Sequence, residues 1–154
     1  MLFRSLEQIQ ALGDAGFDYF YNSSKWWDFR APWCLEQHER FRTVAPSIAF
    51  PESHDTARLA AETGGHEGVQ RQRYAFAAAF SGGVQMTIGY EFGFARPLDV
   101  VKTRPEDWEA PRFDLSAFVA RVNALKARHP LLATEGAAWG NRASIPCRSC
   151  RWCP

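Results

Sequence analysis

His54 and Asp55 stand side by side just beyond a short apolar run, residues 47–50 (SIAF), within the polar stretch Pro51-Glu52-Ser53-His54-Asp55. At the end of a strand, such a pair sets a hydrogen-bond donor beside a fixed negative charge at the mouth of a sheet. That combination suits hydroxyl-rich ligands and stabilises a positive charge developing nearby. Upstream, Lys25, Trp26 and Trp27 follow a second apolar run, residues 17–22 (FDYFYN), with Trp33 a little further on. A flat indole suits the apolar side of a pyranose ring, and equally suits packing of a loop onto the next helix. Lys25 and Arg58 have two outlets as well: substrate hydroxyls, or ion pairs with Asp28 and Asp55. Glu52 and Glu91 also fall at strand ends, where hydrogen bonding to neighbouring loops is the role expected of them.

Functional groups gather where the chain leaves the carboxyl ends of parallel strands, so these residues require strands and crossovers in a definite order. Leu6, Ile9 and Leu12 recur at helical spacing, and Gly16 follows where a left-handed cap belongs. Residues 17–22 are apolar on both faces, as in a buried parallel strand. Pro32 is placed to open a helix that runs to about Arg42, with Trp33, Gln37 and Phe41 on one face. Residues 47–50 give a second strand. A helical stretch follows, broken at Gly64-Gly65 and resuming with Val69, Phe76 and Phe80 on one face. Gly82-Gly83 closes it, and residues 84–90 (VQMTIGY) give a third strand. After a long connection holding Trp108, Asp114 caps a final helix striped by Leu115, Phe118, Val119, Val122 and Leu125, which Pro130 stops. Strands alternating with helices predict an α/β fold with a parallel sheet and right-handed crossovers.

Composition narrows the function classes. The 154 residues suffice for one domain with a core, and 46% apolar with 23% charged residues is ordinary for a globular chain. A formal net charge of +1 gives no reason to expect a nucleic-acid or acidic-membrane partner. No apolar run reaches the roughly 18 residues of a membrane span, and no secretory leader is evident, so a cytoplasmic setting is the default. No G-x-S-x-G, phosphate loop or dinucleotide fingerprint is present, and no cofactor is expected. Beyond residue 136 the texture changes to an irregular tail rich in Arg, Cys, Ser and Pro (137–154), out of keeping with the rest. Its Cys147, Cys150 and Cys153 form C-x-x-C-x-x-C, and Cys34 or His129 is available as a fourth ligand. Overlapping cysteines without a second knuckle match zinc sites poorly, so no metal is expected; nor does any acidic cluster resemble a calcium loop.

Residues 47–59 (SIAFPESHDTARL) resemble the region of the α-amylase superfamily of glycoside hydrolases in which the seventh barrel strand delivers His-Asp. Residues 15–29 (AGFDYFYNSSKWWDF) look like the sixth strand and its loop in a bacterial branch of that superfamily. Residues 84–94 (VQMTIGYEFGF) look like the eighth strand, ending in Gly-x-Glu, and residues 114–132 like the eighth helix. The resemblance covers about residues 6–136 and implies a partial TIM-type (β/α) barrel: three parallel strands each followed by helix, an incomplete barrel. It also implies a retaining hydrolase or transglycosylase acting on α-glucans or maltooligosaccharides, working through a nucleophile and an acid about 5 Å apart. Asp55 matches the family's third, transition-state-stabilising carboxylate, and His54 matches its sugar-gripping histidine. Trp26, Trp27, Lys25 and Arg58 fall where substrate contacts would lie.

The nucleophile and acid of the family belong to the fourth and fifth strand ends, and no Asp or Glu of this chain matches either. Two expectations follow. One is a fragment of an amylase-type enzyme, inactive alone and prone to self-association through its open sheet edges. The other is a non-catalytic glucan-binding module that complements a separate chain.

Overall fold

A computed structural model describes residues 6–136. Helix α1 (Leu6–Asp14) ends as its sequence predicts. Gly16 takes a left-handed φ of 85°, its amide donates to Gly13 at 2.9 Å, and the Phe17 amide reaches Leu12 at 3.1 Å. That pair of bonds satisfies carbonyls the helix leaves open. Strand β1 (Phe20–Tyr21), helix α2 (Trp33–Phe41) and strand β2 (Ser47–Ala49) follow. The next crossover contains helices α3 (Leu59–Glu62) and α4 (Glu67–Phe80), and leads to strand β3 (Gly83–Val84). Helix α5 (Ser116–Arg128) completes the order.

The strands form one parallel sheet in the order β1-β2-β3, with Phe20 opposite Ser47, Ile48 opposite Gly83 and Ala49 opposite Val84. Residues paired across parallel strands point to the same side, so Phe20, Ser47, Ala49 and Val84 share one face. Phe20 packs with Ile9 and Ala45 beneath α1 and α2, while Val84 packs against the cluster of Leu59, Tyr74, Tyr90, Leu115 and Val119 beneath α4 and α5. The opposite face carries Tyr21 and Ile48, and Tyr21 is 60% exposed.

Four sequence expectations are corrected here. The aromatic run of residues 17–22 is not buried on both faces. Phe17, Tyr19 and Tyr21 are exposed and only Phe20 is buried, because described helices cover one side of the sheet alone. The third strand is shorter than residues 84–90. The Gln85 amide still bonds to Ala49, but the chain turns at Gly89, whose φ of 80° is left-handed and where a Cβ would lie 2.1 Å from the Phe94 ring. Tyr90 and Phe94 then bond back to Thr87 and Gly89. The helical stripes are also displaced. α2 buries Cys34 and His38, and α4 buries Gln70, Tyr74, Ala77 and Ala78. On α5, Leu125 is exposed, although Leu115 and Val119 are core residues. Pro32 stands just before the first helical residue of α2 rather than inside it.

Lys126 of α5 ties the carboxyl end of this layer together. Its Nζ donates to the carbonyls of Ala78 and Ser81 at 2.8 and 2.7 Å, and to Leu132. Removal from water pulls its pKa below the usual lysine range. Glu135 accepts from the Ser47 and Gly82 amides and from the Ser47 hydroxyl, joining the starts of β2 and β3. No described helix is long and apolar enough to cross a membrane.

Candidate functional site at the carboxyl end of the sheet

The segment from Pro51 to Arg58 leaves β2 and returns to α3, with its root buried and its tip in solvent. At the root, Glu52 is wholly buried and Arg58 is 2% exposed. Glu52 Oε1 lies 2.7 Å from Arg58 Nε at an angle outside hydrogen-bond geometry, so the contact is a charge pair rather than an aligned bond. The other oxygen, Oε2, accepts the Leu59 amide at 2.7 Å at the start of α3. Arg58 Nη2 donates to the Ile88 carbonyl at 2.9 Å, and the Thr87 hydroxyl donates to the Glu52 carbonyl at 3.1 Å. Loss of water around Glu52 pushes its pKa above the usual carboxylate range, against the lowering pull of Arg58 and the Leu59 amide.

The tip is a tight turn. Ser53 and Thr56 bond to each other three times: the Ser53 amide donates to the Thr56 hydroxyl at 2.9 Å, and the Thr56 amide and hydroxyl both donate to the Ser53 carbonyl at 3.2 Å; the Asp55 amide also reaches the Ser53 hydroxyl. This arrangement turns His54 and Asp55 outward. Their side chains are 45% and 83% exposed, with Nε2 and Oδ2 3.3 Å apart. An imidazole and a carboxylate therefore stand together in water beyond the carboxyl end of β2.

The loop after β1 is built differently. Lys25 is buried and pairs with Glu62 of α3 at 2.9 Å rather than with Asp28. Trp27 is half-buried against Phe29, Phe76 and Phe80, and its Nε1 donates to Ala31 at 2.6 Å. Arg73 reaches across from α4 to the Trp27 carbonyl at 2.7 Å and lies 4.5 Å over the Phe29 ring. Asp28 accepts the Arg30 and Ala31 amides, which holds its carboxyl below the usual range. Trp26 differs from its neighbours. It is 46% exposed, touching Phe50 edge-on at 6.0 Å.

Of the six predicted site residues, His54 and Asp55 are thus brought together and exposed, and Trp26 keeps an open face. Lys25, Trp27 and Arg58 are held in internal contacts. The expected pairing of Arg58 with Asp55 is replaced by pairing with Glu52, since Asp55 points to solvent. Glu91 bonds to Leu115 through its backbone carbonyl at 2.8 Å, while its Oε2 is buried and has no hydrogen-bond partner among the described residues. Cys34 is buried, and desolvation raises its thiol to about 12, which disfavours the thiolate a metal needs. No group of three metal-ligating side chains occurs among the described residues. The tail from 137 to 154, with Cys147, Cys150 and Cys153, lies outside them.

Sequence reasoning missed Thr87 and Ile88 as partners of the site's root, and Glu62 as the partner of Lys25. Glu62 lies on a crossover helix, and Thr87 and Ile88 sit in a run that looks like uniform strand. Nothing in local pattern singles out a carbonyl as an arginine's acceptor.

No family model and no solved structure matches the chain. Among curated proteins, it is 37% identical over 142 residues to the alpha-1,4-glucan:maltose-1-phosphate maltosyltransferase of Burkholderia pseudomallei (strain K96243). That alignment covers 86% of this chain and 12% of the relative, so the chain spans about an eighth of the relative's length. The relative is named for maltosyl transfer involving an α-1,4-glucan and maltose 1-phosphate.

Proposed function

We propose that this chain is part of an α-glucan-acting transglycosylase of the α-amylase type, contributing the sixth to eighth strand-helix units of a (β/α) barrel. In this reading Asp55 stabilises the positive charge that develops on the sugar, and His54 grips a ring hydroxyl beside it. Trp26 offers a face for stacking, while Lys25, Trp27 and Arg58 support the loops behind. The observation that carries the reading is the outward His54–Asp55 pair beyond β2, in a chain similar over most of its length to a glucan maltosyltransferase. The relative's name favours transfer over hydrolysis. No carboxylate here is matched to nucleophile or acid, so the chain alone is inactive and binds glucan without cleaving it. We place it in the cytoplasm.

A second reading is supported by the open side of the sheet. Tyr19, Tyr21 and Ile88 are more than half exposed, and among the described residues β1 and β3 are edge strands. Large apolar groups and unpaired edges favour a covering partner, which makes the chain a complementing module. Incubation with maltose 1-phosphate and maltoheptaose tests both readings, with phosphate release and calorimetric binding as readouts. The expected result is measurable binding that the Asp55→Asn substitution abolishes, with no phosphate released. Phosphate release by the chain alone overturns the inactive-fragment reading. Absence of binding by the wild-type chain overturns the glucan-site reading.

A further inference from the structure

We infer that Glu52 and Arg58 are positioning residues: their buried contact closes the base of the His54–Asp55 loop and fixes the tip that meets the sugar. The inference rests on the glucan-site reading and adds to it two residues that touch no ligand.

Four contacts converge on the two side chains and their backbone. Glu52 meets Arg58 Nε with one oxygen and the Leu59 amide with the other. Arg58 reaches the Ile88 carbonyl, and the Thr87 hydroxyl holds the Glu52 carbonyl. Residues 52 and 58 therefore bracket the exposed tip, and the bracket is bolted to the chain that continues from β3. Between them the tip is held by short-range bonds, those of the Ser53–Thr56 turn and that of the Asp55 amide to the Ser53 hydroxyl. A buried charge pair of this kind adds little net stability over an apolar pair of similar volume, because both ions lose their water. Its placement is nevertheless specific, since Arg58 meets Glu52 Oε1 and the Ile88 carbonyl together only when residues 52 and 58 keep their present separation. Loop ends pinned at both sides also confine a tip that short-range turn bonds alone would leave in several conformations.

The test compares the full 154-residue chain with the double variant Glu52→Gln/Arg58→Met. The variant removes both charges together and keeps a side-chain acceptor for Leu59. Amide hydrogen exchange is followed along the chain without sugar, and maltoheptaose binding is measured well below the thermal midpoint. The expected result is exchange at residues 53–57 at least about tenfold faster, core amides of α4 and α5 unchanged, and sugar affinity about tenfold weaker. Arg58→Lys, which keeps the charge, is expected to recover part of that affinity. A folded double variant with unchanged exchange at 53–57, or with a uniform increase over the whole chain, overturns the inference. So does faster tip exchange with unaltered affinity. If the wild-type chain binds no maltoheptaose, the glucan-site reading falls, and the exchange pattern alone still decides whether the pair holds the tip.

Discussion

The loops after β1 and β2 start from adjacent parallel strands at the same end of the sheet, and they use their side chains in opposite ways. After β1, rings and cations turn inward: Trp27 joins Phe29, Phe76 and Phe80, Arg73 covers Phe29, and Lys25 meets Glu62. Phe29 even adopts a left-handed φ of 61° to reach this cluster, a conformation costing about 1–3 kcal/mol for a non-glycine residue, which the surrounding packing must offset. After β2 the ionic contact is at the root and the polar pair is outside. A loop whose reactive-looking residues are absorbed by packing has little left to offer a ligand, whereas one closed at its base can present a tip. Residue type is shared by the two loops; which contacts satisfy it is not.

The harshest way to break this contrast is to leave one half of the ionic root in place. Arg58→Met strands a buried carboxylate, and a loss of about 3–5 kcal/mol in urea unfolding is expected at neutral pH. The variant should regain stability on acidification. Glu52 then has a folded-state pKa raised by desolvation above its ordinary 4.5. The folded state takes up the proton first, so stability rises as pH falls from the raised value toward 4.5. A pH-independent deficit would show that water or a rearranged neighbour solvates Glu52. Next in size is Trp27→Ala, expected to cost about 2–3 kcal/mol, somewhat less than truncating a fully buried ring. Its neighbour gives the contrast. Trp26→Ala should cost less than about 1 kcal/mol of stability and weaken maltoheptaose binding, while Trp27→Ala should change binding only through unfolding. Equal stability costs for the two would erase the distinction between an inward and an outward indole.

Much of the fold was legible in the sequence and rather less of the site. The left-handed cap at Gly16, the strand at Ser47–Ala49 and the order of strands and helices follow from glycine placement, hydrophobic period and turn residues. The third strand was overextended because alternation of apolar residues continues to Tyr90, and only the close approach of Phe94 to Gly89 reveals the turn. His54 and Asp55 were legible because a polar pair directly after a short strand has few internal partners. Arg58 was not. Whether an arginine nine residues past the end of β2 faces a ligand or a carboxylate depends on Glu52, which is buried beside it by contacts from Thr87 and Ile88, about thirty residues further along. Long-range closure of this sort leaves no periodic trace.

The mildest perturbation sets the carboxylates of the two loops against each other. Asp28 accepts two backbone amides and has its pKa lowered below the ordinary 3.8. Its contribution is present above that value and is lost as pH falls through the folded-state pKa, the reverse of the sign for Glu52. Asp28 is exposed, so the effect on global stability is small, and local amide exchange at Arg30 and Ala31 is the sensitive readout. Acidification between about pH 5 and pH 2 should speed exchange at those two amides beyond the intrinsic rate change. Asp28→Asn, which keeps an acceptor without the charge, should remove that extra dependence while leaving residues 53–57 untouched. A change at the β2 loop in the same experiment would mean that the two loops move together through Lys25–Glu62 and α3, and that the inward and outward ends of the sheet are one mechanical unit rather than two.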